Sequence, residues 1–167
     1  MCTYTVNIPW CPKPKASIRL GVQHFYNPNA RGMKATREHV RLEMIKRDIP
    51  MLHGPLFVIA HFRMPIPLSL THDKRMQQHN LPHIKRPDGD NLEKFLNDAL
   101  NGVLWEDDAR IAWLLRSKTL TYDKEGSTTL HVKPLYNEPI DYYRLLDFIH
   151  ECIGCEDHLN IPPAQPS

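Results

Sequence analysis

The 167-residue sequence predicts an α+β fold, in which a mixed β-sheet with helices packed on it forms a single domain. Stretches in which every second residue is apolar, typical of half-buried strands, occur in both halves of the chain. Stretches with the three-to-four-residue spacing of amphipathic helices lie between them, without a regular alternation of strand and helix. A chain of this length can bury one good core, and we expect a C-terminal helix and a disordered tail after it.

The first half of the chain contains three predicted strands and one predicted helix. Apolar residues alternate over residues 4–10 and again over residues 18–22, which indicates two strands. Residues 34–48 have helical spacing among many charged residues. Residues 56–64 alternate once more after a Gly-Pro pair, and residues 68–86 are predicted to be a polar loop.

The strongest helical pattern in the chain runs from Leu92 to Val103. Asp90 with Glu93 three residues later can cap its beginning, and a glycine lies near its end. The alternating residues 111–115 and 130–132 flank a turn, so they are predicted to pair as a hairpin.

The C-terminal segment differs from the rest in composition. We expect residues 1–136 to form the folded domain and residues 137–167 to form an extension with a helix at about 139–153. Pro162, Pro163 and Pro166 indicate a disordered tail after that helix. The predicted apolar stripe of the helix consists of Tyr142, Leu145, Leu146, Ile149 and Ile153.

Charge is distributed unevenly along the sequence. Residues 1–86 contain 14 Lys and Arg against 4 Asp and Glu, whereas residues 87–167 contain 7 against 15. A polyanion such as a nucleic acid would suit the basic half, and a cation would suit the acidic half. Two solvated halves that attract each other explain the asymmetry equally well.

The remaining bulk features favour a cytoplasmic protein that does not enter a membrane. The longest apolar run is too short to span a bilayer, and the first ten residues lack the pattern of a signal peptide. Four cysteines are too few for a disulfide framework. Cys152 and Cys155, followed by His158, have zinc-like spacing, with Cys2 and Cys11 as further candidates, but one such pair more often consists of reduced thiols.

The acidic residues around position 90 are the candidates for chemistry. Pro87 and Gly89 predict extended or turn backbone, in which Asp88 and Asp90 point to the same side. Asp108 follows the long helix, and a strand that doubles back could return it to the pair. Three such carboxylates favour a hard cation, Mg²⁺ or Mn²⁺.

Lys94 lies four residues after Asp90 on the polar face of the predicted helix. Its ammonium group could neutralise charge that develops on a phosphoryl group. An ordinary helix-stabilising pair between Lys94 and Asp90 is the alternative, and Asp90 could be no more than a helix cap. The residues alone leave these interpretations about even.

A longer motif resembles the signature of the RusA family of Holliday junction resolvases. It consists of Arg86-Pro87-Asp88-Gly89-Asp90-Asn91-Leu92-x-Lys94 followed by Asp98-Ala99-Leu100-Asn101-Gly102-x-x-Trp105-x-Asp107-Asp108. The opening strand with its Pro-x-Pro-Lys turn, the Tyr26-Asn27-Pro28 segment and the stretch around Lys118 are also similar. The resemblance covers roughly residues 3–135.

The resemblance implies a RusA-like fold and a homodimeric, Mg²⁺-dependent endonuclease that nicks four-way DNA junctions symmetrically. It implies that Asp88, Asp90 and Asp108 are metal ligands and that Lys94 is the lysine of the catalytic site. Asp107 is the weaker candidate. Arg110 replaces a glutamine that is usual in the family, and the basic turn before Arg19 is poorer in Arg and Pro than usual. The predicted phosphate contacts are Lys13, Lys15, Lys74, Arg75, Lys85 and Arg86.

Three alternative functions can be compared with the same residues. A nuclease for other branched or flapped DNA would use the same site. A catalytically silent junction-binding dimer would have lost a carboxylate or the lysine, and none is lost here. A metal phosphohydrolase for small molecules would leave the basic half of the chain without a purpose.

Overall fold

In the computed structural model of the protein, the described residues are 3–16, 19–20, 25–135 and 141–154. The chain divides into two compact units, Met1–Tyr136 and Asn137–Ser167, and each is described by itself. The predicted α+β class is confirmed, because one mixed sheet and several helices make up the first unit. Among the described residues, no helix is both long enough and apolar enough to cross a membrane.

A four-stranded mixed sheet organises the first unit, with its strands in the order β1-β6-β4-β5. The pair β4 and β5 is parallel, and the other neighbours are antiparallel. A separate antiparallel pair consists of two two-residue strands, β2 and β3. Strand β2 lies within residues 18–22, where a second strand was predicted, and the other residues of that stretch lie outside the described residues. The bounds are β1 Tyr4–Ile8, β2 Arg19–Leu20, β3 Phe25–Tyr26, β4 Leu56–Pro65, β5 Ile111–Thr121 and β6 Ser127–Pro134.

The predicted hairpin between β5 and β6 is wrong, because β4 lies between them and pairs with both. The physical reason is the composition of β4. Eight of its ten residues are buried, on both faces of the sheet, with only Arg63 and Pro65 partly exposed. A strand that is apolar on both faces is most stable inside a sheet, so β4 takes the central position.

The helices of the first unit are α1 (Ala30–Lys46), α2 (His72–Gln78) and α3 (Gly89–Leu100). Helix α1 begins four residues earlier than predicted. Val40 of this helix is fully buried, whereas Ile45 is 78% exposed. Helix α2 corrects the prediction that residues 68–86 are a loop throughout. It has no apolar stripe that a pattern search could find.

Helix α3 confirms the strongest helical prediction. All its apolar residues face the core, where α3 lies against α1 and the sheet. Each such buried side chain contributes about 1.5–3 kcal/mol before entropy is subtracted. The predicted cap is wrong: the N-cap residue is Asp88, and Asp90 lies in the first turn. The buried residues are Leu92, Phe95, Leu96, Ala99 and Leu100.

The second unit contains helix α4, Tyr142–Gly154, where a helix at about 139–153 was predicted. Its buried side chains are Leu145, Phe148 and Cys152, at helical spacing. Tyr142 and Leu146, both assigned to the apolar stripe, are 63% and 49% exposed, so that assignment is wrong by about one position around the helix. The predicted disordered tail lies outside the described residues.

Candidate functional site

The loop that precedes α3 is anchored on strand β5. The ammonium group of Lys118, which is half-buried, donates hydrogen bonds to the carbonyl oxygens of Lys85 at 2.6 Å and Pro87 at 2.7 Å. The peptide bond between Arg86 and Pro87 is cis. Charge-assisted hydrogen bonds of this kind are stronger than neutral ones. Lys118 therefore holds the loop in place directly before Asp88, at the start of α3.

Asp88 occupies the N-cap position of α3, yet its side chain makes no capping hydrogen bond. Its backbone has extended dihedrals, φ −70° and ψ 144°, as Pro87 and Gly89 predicted. The carbonyl oxygen of Asp88 accepts the N–H groups of Asn91 and Leu92 at 3.1 and 3.2 Å. The backbone therefore starts the helix, and the exposed carboxylate of Asp88 remains available to a ligand.

Asp90 and Lys94 form an ion pair one turn apart on α3. The Lys94 ammonium group lies 3.1 Å from the Asp90 carboxylate, and the two side chains are 57% and 50% exposed. The hydrogen bond from Lys94 holds the pKa of Asp90 below its usual value, which keeps the carboxylate ionised at neutral pH. An ion pair this exposed adds little to stability, so its value to the helix is small.

Gly89 lets an arginine of β5 cross the start of α3. A Cβ atom at Gly89 would lie 2.9 Å from Nε of Arg116, which leaves no room for a larger residue unless Arg116 moves. The guanidinium group of Arg116 donates to the Glu93 carboxylate at 2.5 Å. Arg116 was not predicted as a site residue. The sequence feature that could have identified Arg116 is its position two residues before Lys118, because residues two apart in a strand lie on the same face.

Asp108 lies at the other end of β5. It begins a short 3₁₀ helix, Asp108–Arg110, whose N-cap is Asp107. The Asp107 carboxylate accepts the N–H of Ala109 at 2.8 Å, and Arg110 pairs with Glu106 at 3.6 Å. Asp107 thus has a local structural role, and Asp108 is half-buried.

The structure does not bring Asp108 together with Asp88 and Asp90. In the described part of the chain, no group of three or more His, Cys, Asp or Glu residues could hold a metal ion. Asp108 precedes β5, whereas the loop before α3 is held by Arg116 and Lys118 further along the strand. Five residues of extended chain, about 3.3 Å each, separate Ile111 from Arg116, so the gap along the strand is roughly 16 Å.

Four of the predicted phosphate contacts lie near the start of α3. Lys85 and Arg86 are exposed and directly precede Asp88 in the chain. Lys15 donates its backbone N–H to the carbonyl of Asn91 at 2.8 Å, and its ammonium group lies 2.7 Å from Asp98. The exposed Lys13 packs along Gly32 of α1, close to the Phe95 ring of α3.

The other two predicted contacts are on α2, where no described bond connects them to Asp88 or Asp90. Lys74 is exposed, but Arg75 is only 7% exposed. Arg75 donates to the carbonyl of Tyr122 at 2.7 Å, and its guanidinium carbon lies 4.2 Å from the centroid of the Tyr122 ring. Arg75 therefore attaches α2 to the end of β5, and we leave it out of the proposed DNA surface.

Of the four cysteines, Cys11 is half-buried with a free thiol, and Cys152 is buried. Burial raises the pKa of Cys11 above its usual value, which favours the neutral thiol. Cys2, Cys155 and His158, the other members of the suggested zinc set, lie outside the described residues.

Residues 8–133, which contain all of α3 and β5, match the family described as Endodeoxyribonuclease RusA. The chain belongs to the RusA family. RusA proteins are endodeoxyribonucleases that resolve Holliday junctions, and the match confirms the resemblance carried by the motif around Asp88. The Uncharacterized protein YqaN of Bacillus subtilis (strain 168) is 29% identical over 111 residues, which cover 64% of this chain and 77% of that protein.

Proposed function

We propose that this RusA-family protein is a structure-specific endonuclease that resolves four-way DNA junctions in recombination and repair. It acts as a homodimer and hydrolyses two phosphodiester bonds symmetrically. One observation carries the proposal. The family motif begins α3 with Asp88, whose carboxylate makes no capping hydrogen bond, and the Asp90–Lys94 ion pair lies in the turn that follows. The proposed DNA substrate would place the protein in the cytoplasm.

The proposed cofactor is Mg²⁺, with Mn²⁺ as a substitute, because these hard cations prefer carboxylate oxygens. Asp88 and Asp90 offer such oxygens at one end of α3. Asp108 is the proposed third ligand, but within one chain it does not reach the other two. The three carboxylates of a single chain are therefore an incomplete donor set for this ion.

The start of α3 suits a phosphate group in two further ways. Its first-turn N–H groups and the helix dipole favour an anion at this end. The ammonium group of Lys94 can neutralise charge that develops on phosphate oxygens during cleavage. No Ser, Cys or Tyr is placed by the motif as a nucleophile, so we propose direct hydrolysis without a covalent intermediate.

The proposed DNA surface consists of Lys13, Lys15, Lys85 and Arg86, with Lys74 as an outlying member. Each contact to a phosphate releases counterions, so binding weakens as salt rises, by a slope of about 0.9 per contact in log–log form. We expect the double variant Lys85→Ala/Arg86→Ala to reduce that slope by up to about 2. Lys46→Ala, at the far end of α1, is the matched control. An unchanged slope in the double variant would remove both residues from the surface.

The activity is tested with a labelled four-way junction, incubated with and without Mg²⁺ beside a linear duplex and a flap. Symmetric nicks in the junction alone, dependent on Mg²⁺, are the expected result. Equal cleavage of the flap would favour the alternative of a broader nuclease for branched DNA. Binding of the junction without cleavage would favour a silent junction-binding protein.

The homodimer follows from the proposed symmetry of the reaction, since paired nicks need two sites related by a two-fold axis. Sedimentation should give about twice the chain mass of 19.5 kDa. A monomer that still resolves junctions at the same concentration would contradict this.

A further inference from the structure

Arg116 interrupts an apolar row on the core side of β5. Leu114 and Leu120, which lie on the same face of the strand on either side of it, pack against the core of the first unit. The residue of β4 that pairs with Arg116 is Ala60, which is buried in that core. An apolar side chain would satisfy the packing at this position, so packing does not explain the charge.

The ion pair of Arg116 with Glu93 does not explain the charge either. The Nη1 group of Arg116 donates to the Glu93 carboxylate, and the two side chains are 46% and 26% exposed. A pair with this much access to water adds little to stability. Among the described residues, no acceptor is bonded to the Nε or Nη2 groups of Arg116. One edge of the guanidinium fork is therefore available to a ligand.

The guanidinium group lies beside the proposed metal ligands at the start of α3. Its Nε atom is 2.9 Å, and its central carbon 3.7 Å, from the position that a Cβ atom of Gly89 would occupy. Gly89 and Glu93 are four residues apart and share one face of α3. The Asp90–Lys94 pair lies on the adjoining face, about 100° further round the helix. Arg116 and Lys94 therefore flank the start of the helix from two directions.

We propose that Arg116 is a catalytic residue whose Nε and Nη2 groups donate to oxygens of the scissile phosphate, while Glu93 holds the Nη1 group in position. This inference rests on the proposed nuclease function. The planar guanidinium fork matches two phosphate oxygens, and its charge is permanent. Donors aimed at oxygens on which charge develops stabilise the transition state more than the bound substrate. Arg116 and Lys94 then neutralise that charge from two sides.

Gly89 makes this approach possible, and it gives the first test. Its backbone is outside the left-handed region, so alanine fits the helix there and should leave the melting temperature unchanged or slightly higher. The added Cβ atom would push the guanidinium group away from the start of α3. We therefore expect Gly89→Ala to slow cleavage without a loss of stability. In the double variant Gly89→Ala/Arg116→Met, the alanine should slow cleavage no further than Arg116→Met alone.

Substitution of Arg116 itself should reduce the rate of the chemical step. We expect Arg116→Met to lower the single-turnover rate on a four-way junction about 100-fold, the loss typical of one donor to a transition-state oxyanion. Arg116→Lys should recover part of the rate. Arg37→Met is the matched control, because Arg37 holds the other end of α3 through the carbonyls of Asp98 and Ala99 at 2.8 and 2.9 Å. Its rate should remain near wild type while the protein is folded.

Glu93→Gln distinguishes a catalytic arginine from a structural ion pair. If the pair only attaches α3 to β5, Glu93→Gln and Arg116→Met remove the same interaction and should lower the rate and the melting temperature alike. If Arg116 contacts phosphate, Glu93→Gln leaves the guanidinium group in the protein and should slow cleavage by about 10-fold at most. Equal rates in the two variants would overturn the inference.

Direct contact with the phosphate is measured by binding in the absence of metal ions. The nick made by the wild-type protein is mapped, and a junction with one neutral methylphosphonate at that linkage is prepared. Dissociation constants of the wild-type protein and of Arg116→Met are compared on both junctions. We expect the methylphosphonate to weaken the wild-type protein about 10-fold more than the variant, since a charge-assisted hydrogen bond is lost only in the former. An equal effect on both proteins would exclude the contact.

The outcomes separate this inference from the function on which it rests. A wild-type protein that nicks junctions, together with an Arg116→Met variant of near-normal rate, would overturn the role of Arg116 and leave the nuclease function standing. A wild-type protein that cleaves no branched DNA would overturn the function itself. The salt dependence of junction binding would still test the phosphate contact. Its log–log slope should fall by about 0.9 in Arg116→Met and not in Arg37→Met, and an unchanged slope in Arg116→Met would exclude that contact.

Discussion

At the scale of single residues, the state of Asp88 is the most informative feature of the site. An N-cap aspartate usually accepts a hydrogen bond from the first turn of its helix, which stabilises the helix by roughly 1 kcal/mol. Asp88 holds this position without making the bond. An acidic group that does not stabilise its own helix, beside the Asp90–Lys94 pair, is consistent with selection for a ligand.

Asp88→Asn tests this role, because it conserves shape and removes one negative charge. We expect cleavage to fall about 100-fold or more, since the removal of the proposed metal ligand would cost several kcal/mol of transition-state stabilisation. Junction binding should survive or tighten, because one repulsive charge near phosphate is gone. Asp107→Asn is the matched control and should retain cleavage, because the asparagine oxygen can still accept from Ala109. Near-normal turnover in Asp88→Asn would remove this residue from the site.

His79 makes the stability of the first unit sensitive to mild acid. Its Nδ1 atom accepts the N–H of Tyr122 at 3.0 Å, which only an unprotonated nitrogen can do. Burial, with a smaller contribution from the charge of Arg63, lowers the pKa of His79 below its usual value. A base whose pKa is lowered by folding contributes stability above its unfolded pKa, about 6.5, that is lost as the pH falls below that value.

We therefore expect the melting temperature to fall between pH 7.5 and pH 5.5, and to fall less in His79→Asn, whose side-chain oxygen can still accept from Tyr122. Part of the decrease in melting temperature should remain in this variant, because the pKa of His83 is lowered as well. Burial is the larger cause, and the charges of Lys118 and Lys85 add to it. Melting curves at the two pH values measure the effect. An equal decrease in the variant would exclude His79 as its source.

The sequence predicted the residues of the motif but not all of their neighbours. Asp88, Asp90 and Lys94 are close in sequence, so local spacing was enough to group them. Arg116 and Lys118 reach the same place through the pairing of β5 with β4, which no local pattern encodes. Arg75 was expected at the surface because arginines usually are, and its contact with the Tyr122 ring and its hydrogen bond to the Tyr122 carbonyl explain its burial.

At the scale of elements, the turn between β5 and β6 depends on Gly126. Its φ angle is +67°, and a Cβ atom there would lie 2.5 Å from the carbonyl oxygen of Arg63. Gly126→Ala should therefore combine backbone strain of about 1–2 kcal/mol with overpacking of about 1–3 kcal/mol. Each kcal/mol lowers the melting temperature of a protein of this size by about 2–4 °C.

Gly54 provides the matched control for that substitution. Its φ angle is +78°, but a Cβ atom there would meet nothing within 4 Å. Gly54→Ala should therefore show the strain alone, and the difference in melting temperature between the two variants isolates the contact with β4. Equal melting temperatures would mean that Arg63 and its neighbours move aside without cost.

The elements that could be predicted are those whose own sequence determines them. Helix α3 has a complete apolar stripe, and β1 alternates cleanly, so both were found. Helix α2 is held by a contact between Arg75 and Tyr122, 47 residues apart, which leaves no local signal. The order of β4, β5 and β6 in the sheet depends on which of the three strands is apolar on both faces. This can be found only by comparing the strands with one another, whereas the hairpin prediction considered β5 and β6 alone.

At the scale of the whole molecule, the uneven distribution of charge acquires a structural meaning. The basic Lys85 and Arg86 are close to the acidic Asp88 and Asp90, so the boundary between the two halves of the sequence passes through the proposed site. The acidic cluster before β5 is at the opposite end of that strand from this boundary. Within one chain, the length of β5 therefore separates the acidic cluster from the basic residues beside Asp88.

The C-terminal unit gives the last test at this scale. We predict that residues 137–167 are structural and dispensable for chemistry. The segment is acidic, with six Asp and Glu against one Arg, which makes it a poor surface for phosphate. Leu145, Phe148 and Cys152 of α4 are buried, and each such side chain is worth about 1.5–3 kcal/mol before entropy is subtracted.

A chain that ends at Leu135 should therefore melt at a lower temperature but cleave four-way junctions at a similar rate while folded. In the full chain, Phe148→Ala should destabilise by about 3–5 kcal/mol, as buried aromatic residues do. The exposed Leu146 is its matched control, and Leu146→Ala should have little effect. A truncated protein that remains as stable as the full chain, yet no longer binds junctions, would show instead that this acidic segment takes part in DNA recognition.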